Sequence, residues 1–326
     1  MNILLIQTAW LGDNILTTPL VANLAKKNDV DVLTIPKCMQ VYENNPNVKH
    51  IIAYDKHAKN KGIQGLRQIA NQLSGHDYDA AIIPQKWWRS AIVAKLAGIP
   101  MRVGFNDAPA KSLYTHRVTY RNEEHDIIRL CELIKPLGVT PEIVSPTLYP
   151  SESDFFTIKE FIRLFHDRKT IAIAPGTAWE TKRYPLFDKV AEIFTEKGFY
   201  VVAVGTESEK ELCENVIKNS DGKVFTGKTI LQTAALFTKI SALVANDSGA
   251  GHIASGVGTP VISIFGPTTP EMGFYPWGKN NVIIQNQIEC RPCSLHGSHK
   301  CPKKHHKCMR DIAPEVITDN IQALVK

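Results

Sequence analysis

One stretch, residues 243–268, narrows the possible folds more than any other: LVANDSGAGHIASGVGTPVISIFGPT. An apolar run over 242–245 ends in Asn246, Asp247 and Ser248, small residues carry a helical pattern through His252 and Ala254, and a second apolar run over 261–265 ends at Gly266 and Pro267. Strand, turn, helix, turn and strand in that order make a parallel α/β unit. In such a unit the turn after the first strand lies at the carboxyl edge of the sheet, where ligands bind, and the following helix points its electropositive end there. Asp247 and Ser248 occupy that turn, Gly249 and Gly251 let a ligand approach the backbone, and His252 follows on the first helical turn. Ordinary helix capping explains such a turn taken alone, so its meaning depends on the rest of the chain.

The rest of the chain repeats the pattern. Apolar strand runs are expected at 2–7, 30–35, 50–53, 80–84 and 102–105, with helices at 62–73, 88–97 and 126–137. After a Pro-rich interval at 138–153 and a helix at 154–165, strands are expected at 170–174, 199–204, 242–245 and 261–265, with helices at 185–197, 208–219 and 231–238. Alternation of this kind gives doubly wound parallel sheets. A chain of 326 residues exceeds what one core usually serves, so two domains are expected, 1–150 and 151–326. An amphipathic helix over 314–325 closes the chain and could cross back to brace the first domain.

Several polar turns follow predicted strands. Asp13 begins a helix behind the first strand, where a carboxylate either caps the helix or serves as a general base at the ligand edge. Lys86, Trp87, Trp88 and Arg89 follow the strand at 80–84, and further bases include Arg102, Lys111 and Arg117. Flat rings beside fixed cations suit a sugar carrying an anionic group. In the second half the turns at 175–183, 205–209 and 246–249 should converge, offering hydroxyls and amides for phosphate, Lys182 as a counter-charge, and Glu209 as an acceptor for ribose hydroxyls. Two Asp-x-Asp triplets, at 29–31 and 77–79, precede their strands and fall at the opposite edge, so they are not read as metal sites. Neither a Gly-x-Gly-x-x-Gly fingerprint after the first strand nor a Walker A motif occurs, which disfavours a dinucleotide oxidoreductase or an ATPase.

The net charge of +6 resides in one segment. Residues 290–310 hold Arg291, Lys300, Lys303, Lys304, Lys307 and Arg310 with no acid, and the remainder balances 32 bases against 32 acids. An anionic partner suits such a patch. The same segment carries Cys290, Cys293, Cys301 and Cys308 among four histidines. Cys290-x-x-Cys293 has zinc-ligand spacing, but the second pair is spaced more widely than usual. Both a structural zinc and reduced thiols pinning a basic loop stay open, and no catalytic metal or cofactor is expected. No apolar run is long enough to span a bilayer, and the first residues, MNILLIQTAWLGD, read as a strand rather than a secretion signal, so a cytoplasmic location is expected.

The stretches ILLIQTAWLGDNILTTP, PGTAWETKRYP, NDSGAGHIASGVGTPVISIFGPTTP and CRPCSLHGSHKCPKKHHKCM together resemble glycosyltransferase family 9, the ADP-heptose:lipopolysaccharide heptosyltransferases, most closely the type II enzymes. The resemblance covers both halves. It implies a GT-B architecture, two Rossmann-like domains facing across a cleft, with the acceptor on the first and the nucleotide sugar on the second. It implies an inverting, metal-independent transfer of heptose from ADP-heptose to the inner core of lipopolysaccharide. By motif, Asp13 would be the general base. Thr177 and Lys182 would contact the diphosphate, and Asp247, Ser248, Gly249 and His252 would line the donor pocket. Glu209 would meet the ribose and Thr229 would lie near the adenine; Lys86, Arg89 and Arg102 are the candidate acceptor contacts. Ala178 departs from members that carry a second hydroxyl there. An anionic core acceptor suits the basic loops, and a peripheral contact with the inner membrane follows from the basic tail. The competing readings are a nucleotide-sugar transferase for another surface glycan and a non-catalytic nucleotide- or nucleic-acid-binding module. A nucleic-acid partner is not expected, because the tail lacks aromatic stacking positions.

Overall fold

Strands with unbroken apolar runs build two separate parallel sheets in the computed structural model, which describes residues 1–56 and 58–325; Lys326, the end of the expected second domain, lies outside them. The chain divides into two compact units, the first ending at Tyr149 and the second starting at Pro150.

In the first unit the strands are β1 (Asn2–Gln7), β2 (Asp29–Thr34), β3 (His50–Ala53), β4 (Ala80–Ile83), β5 (Met101–Phe105) and β6 (His116–Val118). The helices are α1 (Leu11–Ala25), α2 (Gly62–Ser74), α3 (Trp88–Leu96) and α4 (Asp126–Glu132). The sheet order is β3-β2-β1-β4-β5-β6, so the winding direction reverses between β1 and β4, the point at which doubly wound sheets bind ligands. Ile3, Leu4, Leu5 and Ile6 of β1 are fully buried, as a central strand covered on both faces requires.

The second unit repeats this plan. Its strands are β7 (Thr170–Ala174), β8 (Tyr200–Gly205), β9 (Lys223–Thr226), β10 (Ala242–Asn246), β11 (Val261–Phe265) and β12 (Val282–Gln285). Its helices are α5 (Glu152–Arg163), α6 (Phe187–Glu196), α7 (Lys210–Ile217), α8 (Ile230–Phe237), α9 (Gly249–Ser255), α10 (Lys307–Arg310) and α11 (Pro314–Leu324). The order β12-β11-β10-β7-β8-β9 places the reversal between β7 and β10.

The expected α/β class with two doubly wound sheets is the one observed. The outer strands β6, β9 and β12 were not expected from sequence; two of them, His-Arg-Val and Lys-Val-Phe-Thr, are short and charged because a sheet edge needs no unbroken apolar run. The helix expected at 126–137 stops at Glu132, since the ring of Pro136 collides with the carbonyl four residues earlier. The apolar stripe of α11 is used within the second unit: Ile317 and Ile321 are fully buried in a core with Val190, Phe194, Val244 and Ile264.

Candidate functional site

Asn246, the last residue of β10 and fully buried, organises the carboxyl edge of the second sheet. Its Oδ1 accepts from the Tyr184 amide at 2.9 Å and its Nδ2 donates to the Pro175 carbonyl at 2.8 Å, so one side chain ties both ends of the loop after β7. That loop delivers Lys182, whose Nζ lies 2.6 Å from an oxygen of Asp247, and the Thr268 hydroxyl donates to the same oxygen at 2.7 Å. The two charged side chains are only 12% and 13% exposed, which makes this pair far less screened than a surface ion pair.

The neighbouring turns close in around it. Glu209, behind β8, accepts from the Thr206 amide at 2.8 Å and hydroxyl at 2.9 Å, and a Cβ on Gly176 would stand 2.0 Å from its carboxylate. Glycine at 176 therefore lets the β7 turn lie directly against the β8 turn. Ser248 precedes α9, and among the described residues its buried hydroxyl has no hydrogen-bond partner. His252 is buried one turn further along, and the Thr177 hydroxyl accepts from the Trp179 amide at 3.5 Å. Thr229 stands past the outer strand β9, where its hydroxyl caps α8 by accepting from the Gln232 amide at 3.1 Å. The structure thus gathers Lys182, Asp247, Ser248 and Gly249 at the crossover and sets Glu209 beside it, while Thr229 is engaged in capping.

The Cys-rich segment proves to be a buttress for this loop. The Ser298 carbonyl accepts from both the amide and the hydroxyl of Thr181, at 3.0 and 2.8 Å, and His306 Nε2 pairs with the Thr181 carbonyl at 2.8 Å. Arg291 points inward, bonding the carbonyls of Gly266, Asn286 and Thr268, so it does not belong to the exposed basic patch. All seven cysteines are free thiols. Burial pushes the Cys308 thiol up to about 11, whereas the amides of four successive residues from Lys303 to His306 overcome desolvation at Cys301 and hold its thiol below the ordinary value. Among the described residues no group of three or more His, Cys, Asp or Glu is placed to hold a metal ion.

The first unit carries its own cluster at the β1–β4 crossover. Asp13 lies on the first turn of α1, and its Oδ2 accepts from the Trp10 amide at 3.1 Å. Gln85 donates to the hydroxyls of Thr8 at 2.6 Å and Ser90 at 2.7 Å, binding the turns after β1 and β4 together. Burial pushes the carboxyl of Asp126, at the start of α4, up to about 7, and the Asp13 carboxylate adds to the rise while Arg129 and Lys86 oppose it. Arg129, itself buried, lies 3.7 Å from Asp126 and donates to the Tyr120 hydroxyl at 2.9 Å and the Arg121 carbonyl at 2.7 Å. Lys86 is 2.6 Å from Asp107 and 3.2 Å from the centre of the Tyr120 ring, and Arg89 donates to the Gly62 carbonyl at 3.2 Å.

Arg102 is not brought to this edge. It sits near the start of β5 and gives its guanidinium to the carbonyls of Ile99, Pro100 and Leu113. The Asp-x-Asp acids also serve the amino edge: Asp31 bonds Tyr78 and His50, and Asp79 accepts from the Asn2 amide. Three residues that the structure sets at these sheet edges escaped the sequence reading: Thr268 and Asp126, described above, and Lys56, whose Nζ is held on the Thr8 carbonyl at 2.8 Å. Thr268 ends the turn after β11 and Lys56 follows β3, so the rule that ligand groups follow strands could have found both. Asp126 gave no such signal, because nothing in its local sequence marks it as buried.

Comparison with known proteins gives the family and the fold. The sequence profile of glycosyltransferase family 9 (heptosyltransferase) matches residues 66–304. Lipopolysaccharide heptosyltransferase 2 of Escherichia coli K12 is 25% identical over 353 residues, covering 100% of this chain and 99% of that one. Among solved structures, a family 9 glycosyltransferase from Veillonella parvula superposes with a TM-score of 0.88 at 23% identity, covering 99% of this chain and 97% of the other. The E. coli ADP-heptose lipopolysaccharide heptosyltransferase II superposes with a TM-score of 0.81 at 22% identity, covering 100% and 98%. The fold is accordingly the GT-B type, built from two Rossmann-like domains. Since the profile spans well over half of the chain and takes in strands of both sheets, this protein is a glycosyltransferase that belongs to family 9, the heptosyltransferases.

Proposed function

We propose that this protein transfers heptose from ADP-heptose to the inner core of lipopolysaccharide by an inverting displacement that needs no metal ion. The observation that carries the reading is the cluster of Lys182, Asp247 and Thr268 at the crossover of the second sheet, in a chain of the heptosyltransferase family.

In this reading the second unit holds the donor. Lys182 stabilises the charge that accumulates on the departing diphosphate, the role a divalent cation plays elsewhere. Thr177 and Ser248 supply hydroxyls to the phosphate oxygens, with Gly249 giving the backbone close access and His252 behind it. Glu209 accepts from the ribose, and Thr229 borders the adenine. The first unit holds the acceptor. Asp13 draws the proton from the acceptor hydroxyl as that oxygen attacks the anomeric carbon on the face opposite ADP, and inversion follows from that single displacement. Arg89 meets the anionic part of the acceptor, and Lys86, already paired with Asp107, borders it; Arg102, engaged at the far end of its strand, is withdrawn from that role.

No helix among the described residues is long and apolar enough to cross a membrane. Lys300, Lys303, Lys304, Lys307 and Arg310 are exposed, and a basic surface of this kind suits an enzyme working from the cytoplasm against the anionic face of the inner membrane.

The test is to incubate the protein with a panel of nucleotide sugars in the presence of a truncated lipopolysaccharide core. ADP-heptose alone should be consumed, and only when the core is supplied. Consumption of a different nucleotide sugar, or of none, overturns the assignment.

A further inference from the structure

Three of the five tryptophans in the chain are exposed at one place. Trp10, Trp87 and Trp88 are 73%, 63% and 48% exposed, and they stand on the turns after β1 and β4, the two strands flanking the crossover of the first sheet. Exposed indoles carry a large apolar area into water, so a cluster of them marks a surface meant to be covered. Local folding does not call for them. Trp10 and Trp87 occupy the N-cap positions of α1 and α3, where Ser, Thr, Asp or Asn is favoured because its oxygen can accept from a free amide; an indole has no such acceptor.

Two cations adjoin these rings. Lys56 Nζ is held on the Thr8 carbonyl at 2.8 Å, and the Arg89 guanidinium lies 5.7 Å from the Trp88 ring centre. Among the described residues neither has an acidic group within ion-pair distance, in contrast to Lys86, which Asp107 neutralises. Partial burial, together with the charge of Arg89, holds the Lys56 ammonium below its ordinary range. Two adjacent positive charges with no acid between them repel each other until an anion arrives.

We propose that Trp10, Trp87 and Trp88, with Lys56 and Arg89, form the subsite that selects the acceptor, stacking a pyranose ring on the indoles and pairing its carboxylate or phosphate substituent with the Lys56–Arg89 pair. The inference rests on the first unit being the acceptor-binding unit of a heptosyltransferase. It assigns the selective charge to Lys56, a residue outside the expected set, rather than to Lys86. Planar guanidinium and point-like ammonium together hold either kind of oxyanion, and an indole face accepts the C–H face of a sugar.

The test uses the full-length chain, ADP-heptose and a deacylated, truncated lipopolysaccharide core, supplied intact and after enzymatic dephosphorylation. Lys56→Gln and the double variant Trp87→Leu/Trp88→Leu should each raise the KM for the core by about tenfold or more, while the Kd for ADP stays within about twofold of the parent. Retained ADP affinity shows that the second unit is intact, and a circular-dichroism melting curve that superposes on the parent's shows that the first unit, which carries the substitutions, is folded. If dephosphorylation leaves the parent KM unchanged the bound group is a carboxylate, and if it raises KM as the variants do the group is a phosphate. Variants that keep the parent KM for the core overturn the subsite while leaving the heptosyltransferase reading intact. A parent protein that transfers nothing from ADP-heptose overturns that reading, and the subsite with it.

Discussion

The ammonium of Lys182 meets the carboxylate of Asp247 at 2.6 Å, across the point where the winding of the second sheet reverses. The pair joins residues 65 positions apart, and it exists because Asn246, next to Asp247, clamps both ends of the loop that carries Lys182. Removing the lysine leaves a mostly buried Asp247 carboxylate unpaired beside the proposed site of the anionic donor. Lys182→Ala should weaken ADP-heptose binding roughly tenfold to a hundredfold and slow transfer as well. Steady-state kinetics with varied donor check this, and unchanged constants would remove Lys182 from the site.

The Asn246 clamp makes a separate prediction about stability. Asn246→Ala takes away two hydrogen bonds and leaves the Tyr184 amide and the Pro175 carbonyl without them in a buried setting. A loss of about 2–4 kcal/mol is expected, read from urea unfolding of the variant against the parent. A loss below about 0.5 kcal/mol would mean that the loop is held by other contacts.

Gly176 permits the close approach of two turns, since a Cβ there would lie 2.0 Å from the Glu209 carboxylate. Gly176→Ala should push Glu209 aside and weaken ADP binding by about tenfold, with little change in melting temperature because the displaced group is a side chain near the surface. Titration calorimetry with ADP measures it. Full ADP affinity in this variant would separate Glu209 from the nucleotide.

Asp126 imposes a pH dependence on stability. Its carboxyl is raised from the ordinary 3.8 to about 7, first by burial and then by Asp13. The folded protein therefore holds this proton where the unfolded chain has lost it. The stabilisation is complete below the unfolded value and is lost as pH rises through about 4 to 7. Asp126→Asn, which keeps the shape and cannot ionise, should lose less stability than the parent between pH 5 and pH 8. Melting temperatures of both proteins across that range decide it, and parallel curves would show that Asp126 is not held protonated.

Much of this arrangement was legible in the chain. The strand-turn-helix-turn-strand pattern of residues 243–268 predicts the parallel unit that β10, α9 and β11 form, and it predicts that Asp247 lies at the carboxyl edge. What stayed hidden depends on packing between distant segments. The basic composition of residues 290–310 suggested a surface patch, yet Arg291 turns inward and Ser298 and His306 grip Thr181. Arg102 read as a cleft cation because it lies among basic loops, but its place near the start of β5 puts it at the other edge. Periodicity says which residues are buried; it does not say which distant loop a buried arginine will tie down.

In the proposed transfer, Asp13 takes the acceptor proton while the second unit holds ADP-heptose. The most direct test measures Asp13→Asn twice, once for turnover with ADP-heptose and truncated core and once for ADP affinity. Turnover should fall by about a hundredfold to ten-thousandfold with ADP affinity within about twofold of the parent. Turnover within about tenfold of the parent in a variant that binds ADP normally would rule Asp13 out as the base.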